Sequence, residues 1–192
     1  MEIKPRIYNG VEFRSTLEAK WARFFDLLGW DWKYEPFKLT HDDITWVPDF
    51  VISGHGNNPI YCEVKPSESP QEWYELDRYS YALNLQDNRY SILLLLGKAP
   101  LPKGESSSGA AIGWILQPST MQVEPEMFFN SQPLGICDEY SSWVCKITGN
   151  YYSQPLPVSW EVIQKLWIKA SSEAEAFPVC EEPIHPIMVV KT

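Results

Sequence analysis

Residues 46–65 constrain the fold more than any other part of the chain. Residues 46–52 and 60–65 are strand-like runs, joined by Ser53-Gly-His-Gly-Asn-Asn-Pro59, a polar turn of hairpin character. Strand side chains alternate between faces, so Asp49 is expected on a face with Val47 and Val51, and Glu63 on a face with Lys65. The turn makes the two runs antiparallel neighbours, and Asp49 and Glu63 then sit side by side at one end of the sheet. Two adjacent carboxylates raise each other's pKa unless a cation lies between them. A hard, oxygen-seeking ion such as Mg²⁺ resolves that repulsion. The carbonyl of Val64 offers one more oxygen, and Lys65 is placed to orient a water or to stabilise negative charge beside the ion.

The rest of the chain supports an α/β layer arrangement. Residues 13–28 read as a helix, with Phe13, Leu17, Trp21, Phe24 and Leu28 at spacings of three and four. Ser15 or Thr16 caps its start and Gly29 stops it. Glu18 falls at the margin of its apolar face, where a carboxylate needs a partner. It is in reach of the same ion, a second ion or a water bound to one. Residues 30–39 read as an aromatic strand, His41-Asp42-Asp43 as a turn, and residues 70–86 as a second helix. Residues 90–96, apolar apart from Ser91, form a strand-like run expected to be covered on both faces. Residues 101–109 read as a loop and 110–116 as a strand. Beyond residue 118 only short β-like pieces at 143–147 and near Tyr151, and a helix at 159–170, are legible. Two units are expected: a core over 1–117 and, packed on it, an extension over 118–192 containing short strands and one helix.

Composition limits the functional classes. The 192 residues are 44% hydrophobic and 21% charged, enough for a sizeable core. The longest apolar run, Ile92 to Leu96, is too short to span a membrane. Met1-Glu-Ile-Lys-Pro-Arg lacks a signal-peptide core. Cys62, Cys137, Cys145 and Cys180 form no C-x-x-C pair, so reduced thiols in a cytoplasm are expected. The net charge of −9 rules out holding nucleic acid by overall charge. A nucleic-acid partner then requires a local basic surface, a metal ion, or help from a protein partner or second copy. Residues 1–40 do carry seven basic and six acidic side chains.

The site layout suits phosphodiester hydrolysis, in which a metal acidifies water and neutralises phosphate while a lysine offsets developing charge. Pro48-Asp49, thirteen intervening positions and Glu63-Val64-Lys65 resemble the signature of the PD-(D/E)xK nuclease superfamily. Glu18 matches the acidic residue that many members carry upstream. The element order is similar to that family's αβββαβ restriction-endonuclease-like core, a mixed central sheet flanked by helices. Phe13-Arg14-Ser15-Thr16-Leu17-Glu18-Ala19 resembles the first helix of small phage- and mobile-element-encoded members and of transposon endonuclease subunits. The resemblance covers residues 1 to about 117. It implies a Mg²⁺- or Mn²⁺-dependent endodeoxyribonuclease, or a resolvase-like enzyme, leaving 5′-phosphate ends. Asp49 and Glu63 would be metal ligands, Lys65 the catalytic lysine and Glu18 an accessory acid. Gln71 and Tyr74 loosely match a Gln-Tyr motif on the second helix of some members.

Plainer readings stand beside these. Glu63 and Lys65 also fit a solvated strand face, Asp49 a turn after Pro48, and Glu18 a surface pair with Arg14 or Arg23. Arg14 and Ser15 are candidates for phosphate contact at the helix start, with cap or surface roles as the alternative. Trp30, Trp32 and Trp46 fit base stacking or, more economically, core packing. RNA is an alternative substrate. A catalytically silent or partner-dependent module binding protein or nucleic acid is the alternative function.

Overall fold

The computed structural model describes residues 4–41, 44–53, 59–68, 92–102, 110–116, 132–135 and 160–180. They form a mixed α/β arrangement. Among the described residues, a seven-stranded mixed sheet has two helices on one side, with two small hairpins. The helix expected at 70–86 and the pieces near 143–151 lie outside the described residues, as do Gln71, Tyr74, His55, Cys137 and Cys145.

The first element is a hairpin, β1 (Arg6–Tyr8) and β2 (Val11–Phe13). Asn9 and Gly10 between them have φ of 51° and 76°. An Asn-Gly pair with both φ positive is the two-residue turn whose twist matches a hairpin. Phe13 therefore ends a strand, and the expected helix starts three residues later, as α1 (Thr16–Leu28). Ser15 is its N-cap, with its Oγ accepting the Glu18 N–H at 3.2 Å. Gly29 closes it at φ 71°, its N–H bonding the Asp26 carbonyl while the Trp30 N–H bonds that of Phe25. That is the Schellman pattern, and glycine adopts its left-handed residue without strain.

The expected strand over 30–39 is two shorter ones. β3 (Trp32–Tyr34) joins the main sheet, and β4 (Leu39–His41) pairs with β5 (Ile44–Trp46) in a separate hairpin. The expected strand over 46–52 is likewise broken. Trp46 ends β5, and β6 (Phe50–Ser53) begins after Val47-Pro48-Asp49. Pro48 has no N–H for a ladder, which explains the interruption. β7 (Pro59–Val64) returns antiparallel to β6, as the hairpin reading requires.

β7 then runs parallel to β8 (Ile92–Leu96), as a long crossover permits. β8 is antiparallel to β10 (Ala110–Leu116), which also pairs with the short β9 (Leu101–Pro102) and with β11 (Gln132–Gly135). The order is β11-β10-β8-β7-β6-β3, with β9 against β10. β8 is covered on both faces. Leu94 and Leu96 join the cluster under α1, while Leu93 and Leu95 pack with Trp46 and Tyr61 on the other side.

Helix α1 buries Ala19, Trp21, Ala22, Phe24 and Phe25, all with no exposed surface. The last helix, α2 (Trp160–Glu175), runs five residues beyond the expected end and packs on α1 through Trp167, which lies 4.6 Å from the Trp21 ring and 5.5 Å from that of Phe24. Ion pairs Arg23–Glu173 and Lys20–Glu175 fix the two helices together. The segment after α2 returns to the first hairpin: the Ile7 N–H bonds the Pro178 carbonyl, and the Tyr8 ring stacks on Phe177 at 4.6 Å. Among the described residues no helix is long and apolar enough to cross a membrane.

Gly113 sits in β10 at a register shift, where an added Cβ would lie 2.2 Å from the Leu95 carbonyl oxygen. That oxygen belongs to the backbone of the neighbouring strand and has little freedom to retreat. Gly113→Ala is expected to destabilise by about 1–3 kcal/mol, the usual cost of overpacking. Urea unfolding measures it, and an unchanged midpoint would show that β8 and β10 do not approach this closely.

Candidate metal and catalytic site

The site forms where one end of the sheet meets the start of α1. The ladders align Tyr34 with Phe50 and Phe50 with Cys62. One step further along this register come Glu35, Asp49 and Glu63. The Glu35 N–H bonds the Asp49 carbonyl at 3.0 Å, extending the first ladder to that row. Three neighbouring chain segments thus present an acid at the same level. Glu18 approaches from α1, and its Oε2 accepts the Tyr34 hydroxyl at 2.6 Å and the Arg14 N–H at 2.9 Å.

Burial separates these acids from a solvated strand face. Glu18 is 8% exposed, Asp49 4% and Glu63 7%. Buried carboxylates require partners, and each has them. Asp49 Oδ2 accepts the Val64 N–H at 2.7 Å, and its Oδ1 meets Arg14 Nη2 at 2.9 Å. Glu63 Oε2 accepts the Trp46 indole N–H at 2.8 Å, and its Oε1 pairs with Lys65 Nζ at 2.7 Å. Arg14 Nη2 also pairs with Glu35 Oε1.

Asp49 and Glu63 are therefore brought to one place, as expected, with Glu18 and Lys65 alongside. Asp49 gets there differently: it lies just before β6 and not within it, so it is held by the Val64 N–H and Arg14 rather than by strand alternation with Val47 and Val51. Ser15 serves as the helix cap. The half-exposed Arg14 pairs with carboxylates. Trp30 and Trp32 belong to the core under α1, where the Trp32 indole N–H bonds Asp26 at 2.7 Å.

Glu35 and Tyr34 were not among the expected site residues, and Trp46 was expected only as a stacking or core aromatic, not as a donor to Glu63. The sequence signal for Glu35 is its register: once β3 is paired with β6, it falls opposite Asp49. Its backbone adds a second mark. Glu35 has φ 40°, a left-handed conformation that costs a non-glycine residue about 1–3 kcal/mol.

Burial, then the Glu63 and Glu18 charges, push the Asp49 carboxyl well above its ordinary range. Burial also raises Glu35, with Glu18 and Glu63 adding and Arg14 opposing. Burial pushes the Tyr34 phenol up, reinforced by Glu18, so Tyr34 remains a hydrogen-bond donor. An acid whose pKa is raised by folding binds protons more tightly in the folded state, so stability falls as pH rises above the unfolded value, about 4 for aspartate. The stability of the metal-free protein relative to Asp49→Asn is expected to decline from about pH 4 upward, through the folded pKa. Thermal melts of both proteins in chelator across this range provide the check, and parallel curves would refute the shift.

With all groups ionised, four carboxylates (Glu18, Glu35, Asp49, Glu63) face two cations (Arg14, Lys65), an excess of two negative charges among the described residues. Oxygen donors and this charge excess fit a hard divalent cation. In this arrangement, however, no three His, Cys, Asp or Glu side chains among the described residues are grouped as ligands would be. Asp49 Oδ1 and Glu63 Oε1 face Arg14 and Lys65 instead. Compared with protein-family models, curated proteins and solved structures, the chain matches none.

Proposed function

We propose that this chain is a metal-dependent nuclease that hydrolyses DNA phosphodiester bonds, on a restriction-endonuclease-like αβββαβ core. The observation that carries the reading is the row Glu35–Asp49–Glu63, in which Asp49 and Glu63 are buried, with buried Glu18 and Lys65 beside it. Asp49, Glu63 and the Val64 carbonyl would hold Mg²⁺ or Mn²⁺, with Glu18 as accessory acid. When bound, such an ion supplies Lewis acidity, making water a better nucleophile and neutralising phosphate charge.

The chain's own groups do the positioning. The Val64 N–H and the Trp46 indole each hold one oxygen of Asp49 and Glu63, fixing both carboxylates. Tyr34 and the Arg14 N–H orient Glu18. Lys65, whose side chain is a quarter exposed beside Glu63, would orient a water and offset charge on the phosphate as it is attacked. In this reading the enzyme works in a cytoplasm. With a net charge of −9, a second copy or a protein partner supplies further phosphate contacts.

The engagement of the Asp49 and Glu63 oxygens by Arg14, Lys65 and Trp46 favours a second reading: a nuclease-fold module that is silent or depends on a partner. Incubation of plasmid, branched and single-stranded DNA, and of RNA of matching sequence, with Mg²⁺ or Mn²⁺ decides between them. Chelator-sensitive cleavage of DNA, leaving 5′-phosphates, is expected. Cleavage of none of these substrates by the isolated protein would contradict the nuclease reading and favour the second, and preferential cleavage of RNA would change the substrate.

A further inference from the structure

Building on the metal site just proposed, we infer that Arg14 is an internal cation that occupies the site when metal is absent, and that Glu35 retains Arg14 when a divalent ion takes Asp49. The geometry at one atom carries this. Arg14 Nη2 contacts Asp49 Oδ1 and Glu35 Oε1 together. Leaving Asp49 does not require leaving Glu35, so the guanidinium can be passed from one carboxylate to the other with its charge paired throughout.

The two ends of Arg14 differ as this role requires. Its backbone is fixed, because its N–H bonds both Glu18 Oε2 and the Tyr34 hydroxyl. Its side chain is 51% exposed and has room to swing. Glu35 is held in register by its N–H on the Asp49 carbonyl, in a left-handed conformation that glycine would adopt without strain. A glutamate kept there points to a use for its side chain, and its contact with Arg14 supplies one. Asp49, by contrast, keeps Oδ2 on the Val64 N–H, so the exchange frees only Oδ1.

The test is Mn²⁺ binding by the full chain, measured by calorimetry and by the loss of free-ion electron paramagnetic resonance signal, with no cleavage assay involved. Four proteins are compared: wild type, Arg14→Met, Glu35→Gln and the double variant. Arg14→Met removes the competitor and is expected to tighten Mn²⁺ binding about tenfold, a change of about 1.4 kcal/mol. Glu35→Gln leaves the competitor without its second partner and is expected to weaken binding about threefold. The double variant should bind like Arg14→Met, because Glu35 acts only through Arg14. Should Arg14→Met fail to fold, Arg14→Gln carries the same test, since glutamine keeps a polar end group but lacks the charge that competes for Asp49.

Unchanged or weaker binding by the Arg14 variant would overturn the inference while leaving the metal site standing. A double variant weaker than Arg14→Met would overturn it too, making Glu35 a direct ligand. Absence of Mn²⁺ binding in all four folded proteins would remove the metal site and this inference together.

Discussion

Replacing Asp49 with asparagine is expected to lower DNA cleavage by at least about 100-fold without unfolding the protein, and Lys65→Met to do the same. Asparagine keeps the shape of the side chain and can still accept from the Val64 N–H, so the local backbone has no reason to move. It lacks the charge that a hard cation needs. In chelator the variant should melt no lower than wild type, because burial and two neighbouring carboxylates make the ionised aspartate costly in the folded state. Lys65→Met retains the aliphatic stem while deleting the ammonium that pairs with Glu63. The two variants should differ in metal binding, with Asp49→Asn losing it and Lys65→Met keeping it. Well-folded variants that cleave at wild-type rates would remove both residues from the mechanism.

The largest stability effect is expected at Trp21, remote from that chemistry. Trp21 is fully buried, with ring centroids 5.6 Å from Phe24, 5.8 Å from Phe25 and 4.6 Å from Trp167. Its indole N–H bonds the Gly97 carbonyl at 3.0 Å, just beyond β8. It therefore ties α1 to α2 and to the sheet at once. Trp21→Ala removes the ring from all three and leaves a buried carbonyl unsatisfied. A loss of about 3–5 kcal/mol is expected, a large part of the roughly 5–15 kcal/mol that stabilises a typical domain. Chemical unfolding provides the value. A loss below about 1 kcal/mol would mean that the α1–α2 contact contributes little to stability.

The fold and site were legible where local chemistry and final structure agree. The ends of α1 follow from Ser15 and Gly29, and β10 from the mostly apolar stretch at 110–116. The β6–β7 hairpin was recoverable because its turn is polar and its flanks are strand-like. Asp49 and Glu63 could be paired from that turn alone. The misses have physical causes. Phe13 fits the α1 periodicity yet closes a hairpin, because the preceding Asn9-Gly10 turn directs the chain back on itself. Val47-Pro48 fits an extended run yet breaks the ladder, so Asp49 is held by hydrogen bonds and not by strand geometry. Glu35 stayed hidden because its place depends on the register between β3 and β6, a non-local fact. The pairing of Arg14 with Glu35 and Asp49 was illegible for the same reason: its partners are 21 and 35 residues away.

Anomalous diffraction from a crystal soaked in Mn²⁺ addresses the central claim most directly. One strong peak is expected within coordination distance of Asp49, Glu63 and the Val64 carbonyl oxygen, with the Arg14 guanidinium withdrawn from Asp49. A fully soaked crystal with no peak there, and Arg14 still paired with Asp49, would contradict the account.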